Sequence, residues 1–202
     1  MMKEHIFTIL MLAMASTVSA QTSTQARSLL DKTAAVIGNA GGVSASFSAT
    51  GDAGEASGTI IVKGSQFRIN TPQATMWFNG KTQWVYFKST EEVNVTTPTE
   101  TQQQLTNPYK LISLYKSSYD LSSEKLGAGG YQIHMVAQNE SKPIKEVYVT
   151  VNGKYEPTKL RLRTSAGWST VNISNLKSGN YTDSTFQFSS KDYPDAEIID
   201  LR

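Results

Sequence analysis

The sequence predicts a mainly β chain (α+β), with about eleven short antiparallel strands curling into a barrel or half-barrel and helices plugging the concave side. Three observations lead there. From Val43 onward, apolar and polar residues alternate in many short runs. Asn-Gly pairs stand between such runs at Asn79-Gly80 and Asn152-Gly153, a strong hairpin signal. Only two stretches show helical spacing, and each has a single apolar stripe that needs a surface to cover it.

Taken in order, residues 1–20 have the form of a secretory signal peptide. Lys3 sits in a short polar start, an apolar run extends from Ile6 to about Ala15, and Val18-Ser19-Ala20 supplies small residues at the cleavage positions. The run is too short to span a bilayer comfortably. Residues 21–202 are then expected to form one domain outside the cytoplasm. A helix follows, because Ala26, Leu29, Leu30, Thr33 and Ile37 share one helical face, and Gly38 with Asn39-Ala40-Gly41-Gly42 ends it.

Strands are expected at Val43 to Thr50, Ser57 to Lys63, Gln66 to Asn70, Met76 to Phe78, Gln83 to Lys88 and Glu92 to Thr97. Pro98 to Thr106 is a polar, Gln-rich interruption. The stretch NPYKLISLYKSSY then reads as a short helix with Asn107 as cap and Pro108 at its first position; Leu111, Ile112 and Tyr115 share a face. Strands resume at Tyr119 to Lys125, Tyr131 to Ala137, Ile144 to Val151, Tyr155 to Arg163, Trp168 to Leu176 and Thr185 to Ser189. Val147, Val149 and Val151 on one face against Glu146, Tyr148 and Thr150 on the other show the half-buried pattern. A sheet of many strands curls around a wide interior, which two modest helices either fill or cover as a lid.

Composition excludes several classes. With 19 Lys+Arg against 17 Asp+Glu, spread along the chain, nothing points to nucleic acid. The chain has 0 Cys, so no disulfide and no acylated lipobox cysteine can form, and stability must come from packing. Beyond the signal peptide only His134 remains of the His residues, so no zinc-type ligand set is expected, and its strand position suits a surface residue better than a base. No nucleophile elbow, P-loop or dinucleotide fingerprint appears. Glu91-Glu92, Asp192 and Asp195 are weak carboxylate signals. The chain is expected not to be an enzyme, with no catalytic residue, metal or cofactor.

The stretch GTIIVKGSQFRINTPQATMWFNGKTQWVYFKSTEEVNVTTP resembles the periplasmic lipoprotein carrier (LolA-type) family. The matching residues are Val62-Lys63, Phe67-Arg68-Ile69, Asn79-Gly80-Lys81-Thr82-Gln83-Trp84-Val85-Tyr86 and Pro108-Tyr109-Lys110-Leu111-Ile112. The resemblance implies an open, strongly curved antiparallel sheet, an incomplete barrel, with two or three short helices covering its mouth. It implies a monomeric periplasmic chaperone that takes acylated lipoproteins from an inner-membrane ABC-type release complex and shields their acyl chains. Delivery is to the outer membrane, with or without a dedicated acceptor there. Leu30, Ile37, Phe67, Ile69, Trp84, Tyr86, Tyr109, Leu111 and Ile112 are the candidates for lining the acyl-chain site. Each of them could equally pack helix against sheet. The family often carries an Arg in the turn after Val-Lys that holds the lid; this chain has Gly64 there, with Arg68 nearby on a strand. A lipid- or lipoprotein-binding sensor of the same fold, or a hydrolase without a recognisable motif, are the alternatives.

Overall fold

The computed structural model describes residues 22–52 and 54–202. The expected signal peptide lies outside the described residues. A helix, α1, covers 22–37. Strands β1 (Val43–Gly51), β2 (Gly54–Lys63), β3 (Gln66–Asn70), β4 (Ala74–Phe78), β5 (Gln83–Phe87) and β6 (Glu92–Thr96) follow. Helices α2 (Glu100–Thr106) and α3 (Pro108–Ile112) come next, then a 3-10 turn at Ser113–Lys116. The second run of strands is β7 (Tyr119–Lys125), β8 (Tyr131–Ala137), β9 (Glu146–Val151), β10 (Pro157–Thr164) and β11 (Gly167–Ser178), and β12 (Glu197–Asp200) closes the chain.

The twelve strands of the described residues join one sheet in the order β12-β6-β5-β4-β3-β2-β1-β11-β10-β9-β8-β7. The two outermost strands do not pair with each other, so the sheet stays open. Each run is a meander of antiparallel hairpins, and β1 joins the runs by pairing with β11. A register shift between Ser44 and Ser46, with Asn175 at φ 55°, marks a bulge there. Asn tolerates that left-handed backbone better than most residues, and a bulge increases local twist.

This topology explains where the helices sit. The chain must travel from β6, near one edge, to β7, at the other. α2 and α3 are that connection, so they cross the concave side. α1 joins them there, burying Ala26, Leu29, Leu30, Thr33 and Ile37, the stripe expected from its spacing. The one polar member, Thr33, satisfies its hydroxyl by donating to the Leu29 carbonyl oxygen at 2.9 Å.

Three sequence expectations are corrected. Thr185 to Ser189 is not a strand: Asp183–Phe186 is a 3-10 turn, and the last strand is β12 further on. That strand pairs parallel to β6, so the sheet is not wholly antiparallel. The polar run before Asn107 contains α2, started by a capping box. The Thr99 hydroxyl accepts from the Gln102 amide, and the Gln102 side chain accepts from the Thr99 amide at 2.8 Å. The Thr-x-x-Gln spacing was in the sequence; the missing apolar stripe hid it, and α2 indeed buries no residue.

Candidate functional site

The concave face is apolar from β1 to β10 but is not filled throughout. A cavity of about 220 Å³ lies over the middle of the sheet. Its floor is Val43, Ala45, Phe47 and Ala49 of β1, Ile60 and Val62 of β2, Ile69 of β3, Leu160 and Leu162 of β10, and Val171, Ile173 and Leu176 of β11. Ile37 from α1 and Leu105, Pro108 and Leu111 from the crossing helices form its roof and rim. Strand alternation and register bring these floor residues to one face: Phe47 lies opposite Ile173, Ala49 opposite Val171, and Leu160 opposite Val171.

Small residues help keep the space open. Ala45 and Ala49 carry only a methyl group. Gly58, paired with Phe47, has no room for one, because a Cβ there would lie 2.0 Å from the Asn70 carbonyl oxygen. The lining therefore offers hydrocarbon and almost no directed polar group. Its main polar members, Thr106 and Asn107, sit at the helix rim. Such a surface can take up apolar chains but can recognise no particular polar headgroup. Among the described residues, no group of three or more His, Cys, Asp or Glu could hold a metal ion.

Of the residues proposed for the lining, Ile37, Ile69 and Leu111 border the cavity. Leu30, Phe67 and Ile112 are buried in the adjacent core instead. Phe67 packs on Phe78 with ring centroids 5.4 Å apart. Tyr109 packs at the end of α1, its ring 3.3 Å from where a Cβ on Gly38 would stand. Trp84 and Tyr86 are corrected outright, because they lie on the opposite, convex face. Trp84 pairs with Trp77 and Val95, and Tyr86 with Thr75 and Val93, on the side away from Met76 and Phe78. There the chain after β11 folds over Tyr86 and Trp77. The Tyr193 ring centroid is 4.6 Å from that of Tyr86 and 5.6 Å from that of Trp77, and Phe188 is 5.7 Å from Trp77. The hairpin carries large side chains on both faces, so alternation alone did not say which face was inside; counting register across Phe78 and Gln83 would have separated them.

Missed from the sequence were Phe47, Ile60, Leu160, Leu162, Val171 and Ile173. Their alternation was legible, but all except Ile60 lie on strands outside the stretch that carries the resemblance. What makes them a site is that β1 and β11 become neighbours, a pairing between residues far apart in the chain.

The crossing helices are held by few bonds. Asn107, 1% exposed, bonds in two directions. Its side-chain NH₂ donates to the Ser65 carbonyl oxygen at 2.8 Å. Its side-chain oxygen accepts from the Tyr109 and Lys110 amides at 3.0 and 3.3 Å, capping α3. The turn containing Gly64 is thus tied to the helices by a side chain of the helix segment. Arg68 plays no part in this, lying on the outer face over the Trp77 ring. α2 adds an exposed Lys110–Glu100 pair at 2.9 Å, which is worth little.

α1 is tied separately. The Tyr115 hydroxyl donates to Asp31, and Arg27 donates to the Tyr115 carbonyl oxygen at 3.5 Å. Burial first, then the bond to Asp31, push the Tyr115 hydroxyl up to about 12.

Comparison with known proteins agrees with this architecture. The sequence model of the family described as "Outer membrane lipoprotein carrier protein LolA" matches residues 15–166. No curated protein sequence matches the chain. Among solved structures, an uncharacterized conserved protein from Thermus thermophilus superposes with a TM-score of 0.59 at 11% identity, covering 87% of this chain and 99% of that one. A LolA superfamily protein from Nitrosomonas europaea gives 0.45 at 12% identity, covering 81% and 97%. A putative outer membrane lipoprotein-sorting protein domain from Vibrio parahaemolyticus gives 0.43 at 10%, covering 82% and 94%.

Proposed function

The chain belongs to the outer membrane lipoprotein carrier protein LolA family, and from that premise we propose that it is a periplasmic chaperone that binds lipoprotein acyl chains and carries them between membranes. The observation that carries this reading is the unfilled apolar space under the helices, in the middle of the concave face. Residues 1–20 would direct export and be removed, leaving 21–202 as the carrier domain. No helix among the described residues is long and apolar enough to cross a membrane.

The mechanism needs no reacting group. Each acyl CH₂ withdrawn from water contributes about 0.8 kcal/mol, so covering part of a chain gives useful affinity. α2, which buries no residue, would swing away about the Asn107 junction to widen the space, because covering more than a fragment of a chain requires the roof to lift. Release follows from the same property: a lining without directed hydrogen bonds has no shape-specific contact to break. The donor would be an inner-membrane ABC-type release complex, and the recipient the outer membrane.

The test is transfer of a synthetic triacylated lipopeptide from vesicles to the purified 21–202 protein. Wild type should extract it, and Ile69→Asp or Leu162→Asp should lose extraction, because an unpaired charge in an apolar space is costly. Wild-type protein that leaves the lipopeptide in the vesicles would sink the carrier reading. So would folded Asp variants that extract it normally.

A further inference from the structure

The convex face holds a second cluster that the carrier reading does not use. On β8, β9, β10 and β11 the outward residues His134, Tyr148 and Arg161 lie directly opposite one another in register, and Glu146 and Trp168 each lie opposite Arg163. His134 stacks on Tyr148 with ring centroids 4.1 Å apart and planes 4° from parallel. Arg161 stands by two rings, its guanidinium carbon 4.8 Å from the Trp168 centroid and 5.7 Å from that of Tyr148. The single carboxylate is already occupied. Glu146 takes His134 Nε2 at 2.8 Å, the Tyr148 hydroxyl at 3.0 Å and Arg163 Nε at 3.0 Å. Arg161 is exposed and has no carboxylate partner among the described residues.

Trp, Tyr and Arg are the residue types that dominate binding energy at protein interfaces. Here they stand on four hydrogen-bonded strands, already ordered by stacking, so little freedom remains to be lost on contact. The charge is one-sided: Lys159, Arg161 and Arg163 follow one another on the outer side of β10, and the lone Glu146 is satisfied. A guanidinium flanked by rings and without an anion is complementary to a carboxylate presented beside an apolar or aromatic group.

We propose that the outer face of β8–β11 is a docking surface for an acidic segment of a partner protein, with Arg161 as its anchor between Tyr148 and Trp168. This surface lies on the opposite side of the sheet from the cavity and does not depend on what the cavity holds.

The chain's 3 Trp residues provide the readout. Trp168 lies in the cluster, whereas Trp77 and Trp84 lie across β4 and β5, so three indole N–H signals in a ¹H–¹⁵N spectrum separate the two regions. The probe is a short synthetic peptide of Asp and Glu around a central Tyr. It should shift the Trp168 signal, leave the Trp77 and Trp84 signals in place, and bind Arg161→Gln about tenfold more weakly or worse. Arg161→Lys, which keeps the charge and loses the flat stack, should fall between. A Lys-based twin peptide should do nothing. The proposal is overturned by an unmoved Trp168 signal at saturating acidic peptide. It is equally overturned if inorganic phosphate or phosphatidylglycerol vesicles produce the same shift, or if the signal moves with protein concentration alone, which would assign the face to free anions, a membrane surface or a second copy.

Discussion

The concave face has two regions made from the same kind of strand, and they end in different states. On β8 and β9, Ile133, Met135, Val147 and Val149 are each 0% exposed and close against the helices as solid core. On β1, β10 and β11, Phe47, Leu162, Val171 and Ile173 alternate just as cleanly, yet remain only half-buried around an empty space. The difference is what lies above. The α3 segment and the turn after it send Leu111, Ile112, Leu114 and Tyr115 into the core cluster that contains β8 and β9. Over β1 and β11 the roof is the thinner rim of Leu105 and Pro108, and α2 buries nothing. An apolar face becomes core only where another apolar surface reaches it.

The largest effect expected from this contrast is on stability. Ile133→Ala should cost about 3 kcal/mol in urea unfolding, whereas Ile173→Ala on the cavity wall should cost about 1 kcal/mol, because no neighbour packs fully against it. Equal losses at both sites would erase the distinction between filled and unfilled regions. Next comes a reversal of sign. Ala49→Leu should leave stability unchanged or raise it by about 1 kcal/mol by filling space, while lowering lipopeptide extraction about tenfold. The same change in a solid core would be destabilising.

Asn107→Ala should cost about 1–2 kcal/mol, because it removes the α3 cap and leaves the Ser65 carbonyl without that partner. Hydrogen exchange should accelerate in the α2–α3 segment and remain slow in β8 and β9. Uniform acceleration would mean that the helices do not open apart from the filled core.

The effect whose pH dependence is confined to the alkaline range concerns Tyr115, whose hydroxyl ionises only near about 12 in the folded chain against 10.0 when unfolded. The stabilisation is fully present below pH 10.0 and is lost as pH rises toward about 12, since the unfolded chain ionises first. Tyr115→Phe should therefore melt lower than wild type at neutral pH and approach it across that alkaline window. Curves that stay parallel would show that the α1 tie is not set by this hydroxyl.

Much of the fold was readable in the chain itself. The α1 stripe, the Asn107 cap with Pro108 behind it, and most strand positions follow from local spacing and turn chemistry, which act over a few residues. The site was readable only in part. Ile37, Ile69 and Leu111 border the cavity, but Trp84 and Tyr86 do not, since a strand with bulky residues on both sides gives no local sign of which side is covered. Phe188 and Tyr193, more than a hundred positions later, cover that outer face.

What the sequence determined alone was therefore the inventory: helices, strands, hairpins, and an apolar face that two short helices would either fill or only cover. The tertiary structure decided which part of that face stayed empty. That choice depends on β1 pairing with β11 and on the path of the β6–β7 crossing, and both rest on contacts between residues too distant in the chain for periodicity to report.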